Sequence, residues 1–94
     1  MNPQISEYIE KNQDHFLQGL FDLLKIESIS TQPAKKPEIR RCAEAEAQKF
    51  REVGLENVRL LETKHNPIVY GDWLHAAGKP TILIYGHYDV QPPD

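Results

Sequence analysis

The stretch "TILIYGHYDVQPPD", residues 81–94, decides how the chain is expected to fold. Its apolar half, residues 82–85, does not alternate with polar residues, which is typical of a strand covered on both faces. Such a strand lies at the centre of an α/β sheet. His87 and Asp89 follow it directly, at the carboxyl end where open α/β sheets bind their ligands. The stretch therefore predicts a central strand with a polar site at its tip.

His87 and Asp89 are two residues apart, so in an extended chain both side chains point to one side and Tyr88 points to the other. Neutral imidazole is a good metal ligand, and a nearby carboxylate orients it. A histidine and an aspartate at this spacing also form a simple structural hydrogen bond at a strand end. The spacing alone leaves both interpretations open.

A catalytic zinc ion needs about three protein ligands, and this chain offers few further candidates. We interpret the remaining histidines as solvated surface residues: His15, His65 and His75. The sequence contains no H-x-x-E-H or C-x-x-C cluster, no G-x-S-x-G turn and no glycine-rich phosphate loop.

The rest of the chain supplies two helices and two more strands. Apolar residues at helical spacing predict helices over 3–25 and 37–53, and the residues that follow predict strands over 57–63 and 67–74. Small residues on the inner side of the second helix, Ala43 and Ala47, allow it to approach a sheet closely. The fold class is therefore α/β, with two helices and about three strands. A central strand needs neighbours and cover that these elements do not provide, so the domain is expected to be incomplete in this chain.

Composition excludes several classes of function. The net charge is −3 and no basic stripe is present, which argues against nucleic acid as a partner. No apolar run reaches the roughly 18 residues of a membrane span, and no signal peptide is recognisable. Cys42 is the only cysteine, so no internal disulfide forms and a reducing cytoplasm is expected. We interpret Cys42 as a small buried core residue.

Residues 82–94, "ILIYGHYDVQPPD", resemble the first metal-binding motif of a family of zinc dipeptidases and carboxypeptidases. That family includes carnosinase-like dipeptidases, aminoacylase and succinyl-diaminopimelate desuccinylase, and its motif is an apolar strand followed by Gly-His-x-Asp-Val and a proline. Residues 20–30, "LFDLLKIESIS", resemble its first helix and the serine-containing loop. Residues 45–63, "AEAQKFREVGLENVRLLET", resemble its second helix and following strand.

The resemblance implies roles for two residues. His87 would ligate one of two zinc ions, with manganese or cobalt as alternatives, and Asp89 would be the catalytic aspartate. Residues 1–94 would be the N-terminal portion of an αβα-sandwich catalytic domain. The remaining ligands, the general-base glutamate and the lid or dimerisation domain would come later in a longer, homodimeric parent protein.

The substrates implied are short peptides or N-acyl amino acids, hydrolysed by a metal-activated water. By itself the 94-residue chain is expected to be inactive, and to self-associate through its uncovered apolar strand. The alternative is a small non-catalytic folding or interaction module with a structural histidine–aspartate pair.

Overall fold

The computed structural model describes residues 1–94. The chain begins with two short helices. Helix α1 spans Pro3–Lys11 and α2 spans Gln13–Leu24. Asn2 caps α1, because its side-chain oxygen accepts a hydrogen bond from the Gln4 N–H at 2.8 Å. Proline at the first helical position loses no hydrogen bond, since the N–H there has no partner inside the helix.

The prediction of one continuous helix over 3–25 is wrong, because the helix breaks at Asn12. This residue has φ −107° and ψ 10°, and its side-chain amide donates to the Tyr8 carbonyl at 2.9 Å. The Asn12 backbone N–H donates to the same carbonyl at 3.1 Å. The asparagine side chain forms hydrogen bonds with nearby backbone groups, which compete with those of the helix, so asparagine is a poor helix former in a helix interior.

Helix α3 spans Lys36–Glu52, in agreement with the predicted helix over 37–53, and follows a short 3-10 helix at Pro33–Lys35. Gly54, with φ 93°, takes the left-handed conformation that ends it. One face of α3 forms most of the buried core: Ile39, Cys42, Ala43 and Ala47. The small side chains of Cys42, Ala43 and Ala47 allow α3 to lie close to the two strands.

The sheet has two antiparallel strands, β1 at Glu56–Leu61 and β2 at Ile68–Asp72, and α3 packs against both. Leu60 faces Val69 in the register. The pairing is irregular near Asn57, whose φ of 55° is unusual for a residue other than glycine. Strand β2 lies within its predicted range of 67–74, whereas β1 begins one residue earlier and ends two residues earlier than its predicted range of 57–63.

The predicted third, central strand over 81–86 is wrong for this structure. No regular strand follows β2; a single parallel bridge joins Ile29 to Val90. Four apolar side chains are almost fully exposed, at 82, 92, 89 and 89%: Ile82, Leu83, Ile84 and Tyr85. A strand requires a neighbouring backbone to receive its hydrogen bonds, and none lies beside residues 81–86. The architecture is three α-helices and a two-stranded sheet, a mixed α/β arrangement that is consistent with the expected partial α/β domain, while the αβα sandwich of the parent protein stays a prediction.

The chain is loosely assembled for its length. Its radius of gyration is 15.5 Å, whereas a compact chain of this size has a radius of about 12 Å. The buried residues gather around α3 and the loop that contains Ile29. No helix has the length and apolar character that a membrane crossing requires.

Candidate active site

The segment that carries His87 is attached by its backbone to the loop between α2 and α3. Ile29 and Val90 form the parallel bridge, and the Val90 N–H donates to the Ser28 carbonyl at 3.0 Å. The Ser28 hydroxyl donates to the Tyr88 carbonyl at 3.2 Å. Ser28 is fully buried and Ile29 is 4% exposed, so these bonds lie in the protein interior. The loop therefore defines where residues 88–90 lie.

Tyr88 strengthens this attachment from the opposite side. Its hydroxyl donates to the Pro67 carbonyl at 2.6 Å, next to the start of β2. Its own carbonyl also receives the weak thiol donor of Cys42 at 3.5 Å. Burial raises the pKa of the Tyr88 phenol, and the Cys42 thiol adds to that shift. Tyr88 thus points inward while its neighbours point outward, as the alternation of an extended chain predicts.

His87 and Asp89 lie side by side, as the sequence predicts. His87 Nδ1 and Asp89 Oδ1 are 2.8 Å apart, and the Ser30 hydroxyl donates to Asp89 Oδ2 at 2.5 Å. The Ser30 hydrogen bond is the largest cause of a lowered Asp89 pKa; partial burial opposes it, and the His87 hydrogen bond lowers the pKa further. The carboxylate is therefore ionised at neutral pH.

An ionised carboxylate only accepts hydrogen bonds, so Nδ1 of His87 must carry the proton that lies between the two side chains. In the neutral ring, Nε2 then has a free electron pair. The His87 side chain is 78% exposed, and Nε2 makes no hydrogen bond. This arrangement, an imidazole oriented by a carboxylate, is the one that metal-binding histidines generally show.

The donors needed to complete a metal site are missing from residues 1–94. No group of three histidine, cysteine, aspartate or glutamate side chains lies close enough to hold an ion. The residues therefore fit a metal only in part, since they supply one oriented ligand. The roles predicted for His87 and Asp89 stay predictions.

The remaining histidines lie apart from this pair, and all three are exposed, as expected: His15, His65 and His75. His75 Nε2 contacts the Glu56 carboxylate at the start of β1, and its ring meets Trp73 edge-on at 5.3 Å between centroids. This contact is an ordinary hydrogen bond between two exposed side chains.

A large, mostly apolar cleft borders the pair. It has a volume of about 1190 Å³ and lies between β2 and residues 80–89. His87 and Asp89 line one part of it, and Ile39 and Phe50 of α3 line another. The candidate polar groups therefore open onto a space that is larger than a typical small-molecule site of about 300–1,000 Å³.

Sequence reasoning missed Ser28 and Ser30 as members of the site. Serine in a loop between two helices is ordinarily a turn-forming residue. The only local signal is their position in "ESIS", where two hydroxyl residues flank an isoleucine. That pattern does not reveal a partner 59 positions away, which is the separation of Ser30 and Asp89.

Comparison with known proteins gives a consistent result. A Cys-Gly metallodipeptidase from Schizosaccharomyces pombe is 29% identical over 98 residues, which cover 95% of this chain and 21% of the relative. The corresponding enzyme from Candida albicans is 28% identical, over 89% of this chain and 20% of its own length. A Beta-Ala-His dipeptidase from Rattus norvegicus is 33% identical, over 95% and 20% respectively. These relatives are dipeptidases.

The chain is therefore similar to metallodipeptidases, the class of protein whose motif residues 82–94 resemble. The chain spans about a fifth of the length of the curated relatives it matches. The name metallodipeptidase implies a metal cofactor for those relatives. No protein-family profile matches the chain, and no solved structure matches it significantly.

Proposed function

We propose that residues 1–94 form the N-terminal portion of the catalytic domain of a metal-dependent dipeptidase. One observation carries the proposal: His87 presents a free Nε2 while Asp89 holds its Nδ1 at 2.8 Å. The similarity to Cys-Gly and Beta-Ala-His dipeptidases supports metal binding and dipeptide hydrolysis as the use of this geometry. The substrates are short peptides or N-acyl amino acids, and the reaction is hydrolysis of their amide bond.

His87 would bind the metal through Nε2, and Asp89 would be the catalytic aspartate that orients the imidazole. Bound zinc acidifies a water molecule and so supplies the nucleophile; manganese or cobalt can use the same nitrogen and oxygen donors. Because residues 1–94 lack a group of three donors, the other ligands and the general base would come from residues outside this range. We therefore expect the 94-residue chain to be inactive when it is alone.

The proposal includes the setting of the protein. The parent would be a homodimer in the cytoplasm, and the free thiol of Cys42 within residues 1–94 is consistent with that reducing compartment. The apolar half of the cleft, lined by Ile39 and Phe50, would be covered by further parts of the same catalytic domain.

The test is made on the protein purified from its source cells through an N-terminal affinity tag. Intact mass and metal content are read together, and hydrolysis of Cys-Gly and β-Ala-His is assayed with zinc, manganese and cobalt. We expect a metal-loaded subunit several times heavier than 10.8 kDa that cleaves at least one dipeptide. His87→Ala should abolish cleavage, whereas His65→Ala, which alters an exposed histidine, should not.

The alternative function is a small non-catalytic module in which His87 and Asp89 form a structural pair. The absence of a three-donor group within residues 1–94 favours it. A metal-free protein of 10.8 kDa that cleaves neither dipeptide would establish this alternative and refute the peptidase proposal.

A further inference from the structure

Ser30 has a place in the candidate site that no sequence motif assigns to it. Its hydroxyl donates to Oδ2 of Asp89 at 2.5 Å, while Oδ1 of the same carboxylate meets His87 Nδ1 at 2.8 Å. Each carboxylate oxygen of Asp89 therefore has its own hydrogen-bond partner. A carboxylate held at both oxygens cannot rotate freely about its Cβ–Cγ bond, so its direction toward the imidazole is defined.

The contact between Ser30 and Asp89 follows from the backbone and not from chance surface placement. Ile29 and Val90 form the parallel bridge, which places Ser30 beside Asp89. The hydrogen bond from Val90 N–H to the Ser28 carbonyl keeps this register. Such a buried attachment holds the two side chains together even though Ser30 itself is exposed.

A tight turn also limits the freedom of Ser30. The Gln32 N–H donates to the Ile29 carbonyl at 3.2 Å, so Ser30 and Thr31 occupy the two central positions of the turn. Thr31 carries a hydroxyl at the next position but makes no side-chain hydrogen bond. The chain therefore offers two neighbouring hydroxyl residues, of which only one reaches Asp89.

We propose that Ser30 is a positioning residue: its hydroxyl holds the Asp89 carboxylate so that His87 keeps its proton on Nδ1 and presents Nε2 as an electron-pair donor. This inference rests on the proposed function for its use in metal binding. The tautomer itself is a property of the three side chains. It can be measured whether or not a metal binds.

The experiment is NMR of the complete protein with ¹⁵N-labelled histidine, at about pH 8.5, where imidazoles are ordinarily neutral. Long-range ¹H–¹⁵N couplings give the ratio of the Nδ1–H to the Nε2–H form of His87. We expect Ser30→Ala to lower this ratio about five-fold, the factor that loss of one ordinary hydrogen bond gives. Asp89→Asn serves as the reference for loss of the carboxylate.

Two variants are matched controls. Ser30→Thr keeps a hydroxyl at the same position and should retain the wild-type ratio. Thr31→Ala removes the neighbouring hydroxyl and should also leave the ratio unchanged. The hydrogen exchange of the Val90 amide reports the attachment of the segment, and we expect Ser30→Ala to leave it protected.

An unchanged ratio in Ser30→Ala would overturn the inference. Loss of Val90 protection in that variant would also overturn it, because Ser30 would then be a structural residue of the loop. Failure of the proposed function is seen separately, by titration with Zn²⁺. If Zn²⁺ leaves the His87 signals unmoved while Ser30→Ala still lowers the ratio, the positioning role stands and the metal role fails.

Discussion

The hydroxyl of Ser28 donates to the backbone carbonyl of Tyr88 at 3.2 Å, although the two residues are 60 positions apart. Ser28 has no exposed surface, and it lies at the junction between the loop after α2 and the segment that carries His87. Its own carbonyl accepts the Val90 N–H, so one residue makes both a donor and an acceptor contact with the segment. This contact connects the stability of the fold to the geometry of the candidate site.

Replacing Ser28 by alanine should destabilise the protein by about 1–3 kcal/mol, because a buried hydrogen bond is lost and the Tyr88 carbonyl keeps only a weak thiol donor. Urea denaturation gives the free energy of unfolding. The exposed neighbour Thr31 provides the control, and Thr31→Ala should change that free energy by less than about 0.5 kcal/mol. Equal effects of the two variants would contradict the importance of the buried contact.

The stability of the protein should depend on pH through Cys42. Burial raises the pKa of this thiol, while a hydrogen bond with Ser28 lowers it to a smaller extent. The folded protein therefore keeps the proton at a pH at which the unfolded chain loses it. The resulting stability is fully present below the ordinary thiol pKa of about 8.5 and is lost as the pH rises through the folded-state pKa.

We expect wild type to lose stability relative to Cys42→Ala above about pH 8.5, by at most about 1.4 kcal/mol per pH unit. Urea titrations of both proteins between about pH 7 and pH 10 measure the difference. The two proteins share all their other titrating groups, so the effects of those groups on the free energy of unfolding cancel in the difference. A difference that does not vary with pH would mean that the folded protein does not protect the thiol.

Asp89 should affect metal affinity although it is not itself proposed as a metal ligand. Asp89→Asn leaves a side chain of similar shape but removes the charge that orients His87. A loss of about 10–100-fold in Zn²⁺ affinity of the complete protein is expected, the usual effect of removing such an orienting group. Competition with a chelator measures it. Asp14→Asn, which alters an exposed aspartate of α2, should bind as wild type does; an equal loss in both variants would point to overall charge instead.

Two glycines should respond in opposite directions to alanine. A Cβ at Gly71 would lie 3.1 Å from a Phe50 ring carbon and 3.4 Å from the Leu55 Cβ, so Gly71→Ala should cost roughly 1–3 kcal/mol. Gly19 lies inside α2, where a Cβ would meet only the Lys49 Nζ at 3.9 Å. Gly19→Ala should stabilise by about 0.5–1 kcal/mol, because alanine favours the helix. Thermal unfolding of both variants tests the pair, and similar shifts would contradict the packing at Gly71.

The exposed apolar run at residues 82–85 should cause self-association of the 94-residue chain. Sedimentation velocity over a range of concentrations measures it, and Ile84→Lys should shift the distribution toward monomer. Val53→Lys is the control, because Val53 is also exposed, at 74%, but lies at the end of α3. A wild-type chain that stays monomeric at high concentration would contradict this prediction.

The sequence by itself determined the elements that depend on local pattern. The bounds of α3 and its buried residues followed from helical spacing, and both strands of the sheet followed from the change of period after Gly54. The proximity of His87 and Asp89 also followed, because residues two apart in an extended chain point to the same side. Each of these outcomes depends on neighbours within a few residues.

The tertiary structure decided the rest. One local feature also departed from the helical spacing of the apolar residues: the first helix breaks at Asn12, whose side-chain amide donates to the Tyr8 carbonyl. Residues 81–86 form no strand, because pairing needs a neighbouring backbone that apolar character cannot supply. Ser30 joins Asp89 only because the bridge between Ile29 and Val90 places them together. Contacts between residues about 60 positions apart depend on the path of the whole chain, and local spacing contains no information about that path.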